Sequence, residues 1–191
     1  MDKFFANLWL VVVVGFAVPG VLMGLPDFAN APGVQNGVAT AAFQWVHVFF
    51  GMLWIGLLYY FNFVQVPLMP AIPAEHKPAV TKHIAPKALF YFRWAALLTV
   101  LTGATLAHLY GELEEALTLQ ESHRLIGIGM WLALIMAANV WFVIWPNQKK
   151  VLGIIAADHA AKAPAAKAAL IASRTNVLLS VPMLLAMTAF R

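Results

Sequence analysis

Five long apolar runs alternate with polar connections along the 191 residues of this chain. Each run is continuously apolar, without the two-residue alternation of a membrane barrel strand. An α-helix needs roughly 20 apolar residues to cross a bilayer, and each run comes close to that length. The pattern predicts an all-α fold, an integral membrane bundle of five transmembrane helices that forms a single domain over residues 1–191. The expected helices cover residues 7–25, 43–66, 88–110, 124–145 and 169–190.

The composition agrees with a membrane location. Hydrophobic residues make up 62% of the chain and charged residues 10%, and the mean hydropathy is +0.80, so membrane lipid is the expected surrounding. The net charge of +4 comes from basic residues that lie mainly beside the apolar runs, and we infer no nucleic-acid partner from it. The chain has no cysteine, which excludes thiolate metal sites and the CxxCH motif of c-type haem.

Lysines are unevenly distributed among the connections. The second and fourth connections contain Lys77, Lys82, Lys87, Lys149, Lys150, Lys162 and Lys167. The first connection has none, and the third carries four glutamates. Because positively charged loops stay in the cytoplasm, this distribution predicts a cytoplasmic N-terminus and a C-terminus outside.

Three histidines fall near the outer ends of three predicted helices in this topology. They are His47 on the second helix, His108 on the third and His123 at the head of the fourth. A single histidine at such a depth is commonly an interfacial side chain that bonds a loop carbonyl. Three at one depth favour a ligand set, with His47 and His123 as the first pair and His108 as a third candidate.

Two of these histidines have a glycine one helical turn deeper on the same face. Gly51 follows His47, and Gly127 follows His123. A flat macrocycle ligated by both imidazoles needs such a gap, so the spacing favours b-type haem held between the second and fourth helices. The glycines are equally consistent with close helix packing. A zinc or copper site on all three histidines is the alternative metal site.

Two further residues are candidates for the same cofactor site. Trp54 is a candidate wall residue, although tryptophan at helical spacing is more often ordinary packing. Arg124, next to His123, is the candidate partner of the haem propionates, because it lies at the outer end with the histidines.

The inner halves of the helices carry a separate polar cluster. Its members are Asn62, Arg93, Asn139, Arg174 and Asn176. Polar groups at this depth need partners, so they act either as hydrogen-bonding contacts between helices or as an anion or propionate site. The sequence leaves both roles open.

Several stretches resemble a known family. The strings "WVHVFFGMLWIGLLYYFNFVQVP", "APKALFYFRWAALLTVLTG", "NVWFVIWPNQKKVLG" and "ASRTNVLLSVPMLLAM" resemble the membrane domain of bacterial urate hydroxylases, the urate oxidase N-terminal family. The resemblance covers most of the chain from residue 43 onward. It implies a domain of the bacterial inner membrane joined to a c-type cytochrome, and oxidation of urate with electrons passed to haem. Because no CxxCH motif occurs, we expect a stand-alone module.

A shorter likeness indicates a second family. The stretch "HVFFGMLWIGLLYY", together with a histidine at the head of a later helix, is similar to the small membrane protoporphyrinogen oxidases. Those proteins bind haem b through transmembrane histidines. The likeness implies that role for His47 and His123.

The leading expectation is a b-type haem membrane protein that acts in electron transfer. It would exchange electrons with a quinone or a c-type cytochrome, and work as a homo-oligomer or as a subunit of a larger complex. Two alternatives remain open: a cofactor-free structural or accessory subunit, and an oxidase of urate or a porphyrinogen. No catalytic residue is identified.

Overall fold

The computed structural model describes residue 4, residues 6–30, residue 34 and residues 36–189, and within them it contains helices and turns but no strand. The helices are α1 (Leu8–Met23), α2 (Val38–Leu68), α3 (Lys77–Leu109), α4 (Leu113–Leu117), α5 (Glu121–Val151) and α6 (His159–Ala189). A single helical turn, Pro26–Ala29, follows α1. The expected all-α fold is confirmed. The predicted end of the last helix, residue 190, lies outside the described residues.

Four helices, α2, α3, α5 and α6, are long and apolar enough to cross a membrane. α1 is apolar but has 16 residues, about 24 Å at the helical rise, which is less than the roughly 30 Å of a bilayer core. The Asn7 side chain accepts from Leu10 N at its start, and Gly24 ends it. The structure therefore supports four spans, and the predicted fifth span at residues 7–25 is not confirmed.

The membrane helices extend beyond the predicted apolar runs. α2 begins at Val38 instead of residue 43, and α3 begins at Lys77 instead of residue 88. α5 ends at Val151 instead of residue 145, and α6 begins at His159 instead of residue 169. For α3, α5 and α6 the prediction stopped where polar residues and prolines begin, whereas the backbone continues through both.

Three π-helical segments show how the helices continue past prolines. The segments and the prolines that follow them are Tyr60–Gln65 before Pro67, Val80–Ile84 before Pro86, and Asn139–Ile144 before Pro146. A proline inside an α-helix has no N–H, and its ring clashes with the carbonyl four residues earlier. A π turn, with hydrogen bonds between residues five apart, moves that carbonyl away from the ring. The backbone groups that the proline leaves without a partner can then form hydrogen bonds again. The helix therefore continues past each of these prolines.

The four long helices surround one apolar core. α2 packs along α3, and α5 packs along α6, while contacts between α3 and α5 and between α2 and α6 close the bundle. The fully buried side chains of the core include Trp54, Leu58, Phe92, Met136 and Val140. Since α2 neighbours α3 and α6, it lies diagonally opposite α5.

The two ends of the bundle differ in charge. We call the end formed by α4 and the start of α5 the glutamate-rich end, and it carries Glu112, Glu114, Glu115 and Glu121. We call the opposite end, where α3 starts and α5 finishes, the lysine-rich end, and it carries Lys77, Lys82, Lys149 and Lys150.

Asparagine side chains bond to backbone carbonyls beside two of the π segments. Asn62 Nδ2 donates to Leu58 O at 2.8 Å, and Asn176 Nδ2 donates to Met136 O at 2.9 Å. Asn176 Oδ1 also accepts from Asn139 Nδ2 at 3.0 Å. Because Asn176 is fully buried, it connects α6 to α5 at the point where the backbone ladder changes.

Replacing Asn176 by leucine should lower the free energy of unfolding by about 1 kcal/mol, because Met136 O and Asn139 Nδ2 lose a partner inside the bundle. Asn147→Leu is the matched control, since Asn147 Nδ2 donates to Val143 O of its own helix. Denaturation in SDS, followed by tryptophan fluorescence, measures both variants. Equal losses would contradict a bridging role for Asn176.

Candidate functional site

His47 lies in the interface between α2 and α3, where its ring is held by a backbone oxygen. Nδ1 is 2.9 Å from Thr99 O and 3.3 Å from Thr102 Oγ1. A carbonyl oxygen can only accept, so Nδ1 carries the proton and donates it to Thr99 O. In the neutral ring, Nε2 then keeps its lone pair. The backbone of α3 therefore selects one tautomer of this histidine.

Gly103 provides the space for this ring. A Cβ at Gly103 would lie 2.7 Å from His47 Cε1 and 3.0 Å from Nδ1, which no side chain could occupy unless the imidazole moved. Sequence reasoning missed Gly103. Its signal was a glycine in the interior of a long helix, a position that costs up to about 1 kcal/mol relative to alanine and so implies a packing reason.

The two glycines that were predicted to leave a gap for a macrocycle have other neighbours. A Cβ at Gly51 would meet Thr99 Cγ2 at 3.9 Å, an ordinary packing distance. A Cβ at Gly127 would collide with Ala116 O and would lie 2.8 Å from Leu119 Cδ2. Gly127 thus allows α4 and the turn after it to pack onto α5. The expected gap below His123 is wrong, because that turn fills it.

The expectation that three histidines share one depth is also wrong. His47 follows the start of α2 at Val38 by nine residues, about 13 Å along the helix. Its neighbour Gly103 precedes His108 by five residues, and His108 is exposed near the end of α3. His47 is therefore one to two turns deeper than His108, because α2 starts earlier than its apolar run indicated.

His123 lies at the glutamate-rich end, in the 3-10 turn that opens α5. Its Nδ1 is 2.8 Å from Ser122 Oγ, and its Nε2 is 3.9 Å from Glu112 Oε1. Arg124 beside it is exposed. The described residues contain no group of three His, Cys, Asp or Glu side chains that could hold a metal ion, so the zinc or copper alternative gains no support there.

Trp54 belongs to the apolar core rather than to a cavity wall near the histidines. It is fully buried among the core side chains of α2, α3 and α5. Its Nε1 has no hydrogen-bond partner among the described residues. These contacts correspond to ordinary helix packing, which was the alternative interpretation of Trp54.

The polar cluster of the inner halves separates into distinct contacts. Asn62 Nδ2 also donates to Ser173 Oγ at 2.8 Å, which links α2 to α6. The Arg93 guanidinium lies 3.9 Å from the centre of the Trp145 ring, and its Nη1 donates to Leu89 O at 3.4 Å.

Arg174 is exposed and lies apart from these contacts. The Asn62–Ser173 and Asn139–Asn176 hydrogen bonds and the Arg93–Trp145 contact connect helices, whereas the bond from Arg93 to Leu89 O lies within α3. The role as an anion or propionate site stays a prediction.

The comparisons with known proteins give one match. Residues 118–190 match the family model described as urate oxidase N-terminal. The described part of this span covers α5 and α6 and includes His123, while His47 precedes it. No curated protein and no solved structure matches the chain. The family resemblance read from the sequence is confirmed for this part of the chain.

The position of His47 against Gly103 gives a prediction for a double mutant. Gly103→Ala should lower the free energy of unfolding by about 1 kcal/mol, because the new methyl group displaces the ring from Thr99 O. In a His47→Ala background the same substitution should be neutral or stabilising by up to about 1 kcal/mol, the usual gain of alanine over glycine in a helix.

Gly51→Ala is the control, since its added methyl makes only an ordinary contact. Unfolding in SDS measures all four variants. An equal destabilisation by Gly103→Ala with and without His47 would rule out the contact as the cause.

Proposed function

We propose that this chain, whose residues 118–190 match the urate oxidase N-terminal family, is a redox protein of the bacterial inner membrane that holds b-type haem through His47. In this proposal it transfers electrons, with the lysine-rich end in the cytoplasm. Its partner is a quinone or a c-type cytochrome, and it works as a homo-oligomer or within a larger complex. The apolar helices supply the multi-pass membrane anchor.

The hydrogen bond from His47 Nδ1 to Thr99 O is the observation that carries the proposal. A histidine that ligates a metal usually donates its other ring N–H to a carbonyl or carboxylate, which fixes the tautomer and the ring orientation. The N–H at His47 Nδ1 already donates to a backbone carbonyl in this way. An imidazole this far inside an apolar helix pair is also costly, and intramembrane ionisable residues mark functional sites.

His123 is the proposed second imidazole, and it fits less well than His47. Both of its ring nitrogens lie beside oxygen atoms, Ser122 Oγ and Glu112 Oε1. One of these contacts would orient the ring while the other is given up. The turn that covers Gly127 would also have to shift, so His123 needs a test separate from that of His47.

Within this assignment the residues of the chain perform simple tasks. His47 offers a neutral imidazole whose direction is fixed by Thr99 O, and Gly103 leaves room for that ring. Bound haem would supply a one-electron couple, and the apolar surroundings would tune its potential. No substrate-oxidising residue is assigned, so the urate chemistry in the family's name is not transferred to this chain.

A cofactor-free accessory subunit is the second candidate function. It is favoured by the fact that the buried polar side chains bridge helices, as Asn62 does with Ser173 and Asn176 with Asn139. In that case the bond between His47 and Thr99 O would serve only to join α2 to α3.

The visible spectrum of the purified protein distinguishes the two candidates. After reduction by dithionite, the wild-type protein should show sharp b-type bands, and His47→Ala should lose at least about nine-tenths of them because an axial ligand is removed. His108→Ala should keep them, since that side chain is exposed at the helix end.

His123→Ala is measured alongside, and loss of the bands there would support the proposed pair. A folded, colourless wild-type protein would contradict haem binding. Full retention of the bands in His47→Ala would contradict the assignment of the ligand.

A further inference from the structure

A cavity of about 300 Å³ lies at the lysine-rich end, between α2, α3, α5 and α6. Its volume is at the lower end of the range for small-molecule sites, enough for one ring with small substituents. Residues of α2, α3 and α5 that lie in or directly after the π segments line it, among them Gln65, Thr81 and Ile144. The widened turns that accommodate the prolines thus form part of its wall.

Exposed side chains of α2 and α6 line part of the cavity. Val66 of α2 and Leu170 of α6 line it and are themselves 37% and 41% exposed. These side chains face the lipid in a membrane, because α2 and α6 are two of the four spans. A molecule could therefore enter from the bilayer and keep an apolar tail in it.

One polar residue that lines the cavity has an acceptor without a donor, and a second such acceptor lies behind the wall. Gln65 lines the cavity, and its Oε1 is buried without a hydrogen-bond partner among the described residues. Asn62 Oδ1 is buried in the same way, in a side chain that is 1% exposed and bonds to the lining residue Ser173. Exchanging the oxygen and nitrogen of the Asn62 amide would not give the buried oxygen a donor. Asn62 Nδ2 donates to Leu58 O, which only accepts, so the orientation of the amide is fixed.

Ser173 complements these acceptors. Its Oγ accepts from Asn62 Nδ2, so its own hydroxyl proton points elsewhere and is available as a donor. A ligand hydroxyl could donate to Gln65 Oε1 and accept from Ser173. Buried polar atoms without partners are costly, and a ligand that satisfies them recovers that cost.

The residues that line the cavity favour a ligand that is neutral and aromatic. None of the lining residues is charged, so an ionised head group would be buried without a counter-ion. Phe61 and Phe92 contribute two aromatic rings in edge-to-face contact, with centroids 5.7 Å apart. Aromatic rings pack well against such a pair.

We propose that this cavity binds the head group of a membrane hydroquinone, a neutral aromatic ring whose hydroxyl donates to Gln65 Oε1 while its tail leaves between α2 and α6. The reduced form is preferred over the quinone, because only the hydroquinone has a hydroxyl that can donate to Gln65 Oε1. The site is independent of haem, since the cavity and His47 lie in opposite halves of α2.

Isothermal titration calorimetry without oxygen tests the proposal on the purified full chain in detergent. The probes are a decyl-substituted dimethoxymethylbenzoquinol, its oxidised quinone, and 1,2-dioctanoylglycerol, which has a hydroxyl but no ring. The quinol should bind at least about tenfold more tightly than the quinone and the diacylglycerol, the difference expected from one hydrogen bond to a buried acceptor.

Two variants locate the binding. Gln65→Met should reduce quinol affinity to that of the quinone without lowering the unfolding midpoint, because it removes an unpaired buried oxygen and keeps the side-chain length. Ala166→Phe should abolish binding, since this exposed alanine lines the cavity and a ring there would fill it. Gln120→Met, at an exposed position in the connection before α5, is the control.

Three results would overturn the assignment. They are quinone binding as tight as quinol binding, unchanged quinol affinity in both Gln65→Met and Ala166→Phe, and tighter binding of the diacylglycerol than of the quinol. None of them depends on haem content, so the haem assignment and this one can fail separately.

Discussion

The hydrogen bond between His47 and Thr99 O joins α2 to α3 in the half of the bundle towards the glutamate-rich end. Inside a helix pair that faces lipid, an imidazole has no water to satisfy its N–H, so it must find a protein acceptor. The acceptor is a backbone carbonyl of α3, and the close approach requires Gly103. This contact joins α2 to α3 and selects the tautomer of the ring that is protonated at Nδ1.

The lysine-rich half depends on a different constraint, which is proline. Pro67, Pro86 and Pro146 lie within three of the four long helices, and a π segment precedes each of them. Asparagine amides of Asn62 and Asn176 donate to carbonyls beside two of these segments. Residues of the three π segments also line the cavity at this end, and Gln65 Oε1, a buried acceptor without a partner among the described residues, lies in one of them.

The sequence was sufficient to predict the helical membrane fold because continuous apolar runs have few other solutions in lipid. It also singled out His47, Asn62 and Asn176, which the structure places in buried or half-buried contacts. Helix ends were predicted poorly, since composition does not show that a π turn lets a helix pass Pro86 or Pro146. The role of Gly127 could not be predicted, because the atom that covers it comes from α4, eleven residues earlier in the chain.

The role of Gly103 also depends on a contact with a distant part of the chain. Its partner His47 is distant in sequence, so only the register of α2 against α3 reveals why a glycine is needed there. A periodicity within one helix suggested Gly51 instead, because that glycine shares a face with His47. Contacts between helices, rather than spacing along one helix, decide which small residue makes room.

The tautomer of His47 is the most direct test of this account. Nitrogen-15 NMR of histidine-labelled protein, produced under iron limitation and with His47→Gln to assign the signals, distinguishes protonated from unprotonated ring nitrogens. The account predicts a neutral ring with a protonated Nδ1 and an unprotonated Nε2. A ring protonated at Nε2 alone, or at both nitrogens near neutral pH, would contradict it, because Nε2 would then have no lone pair for a metal.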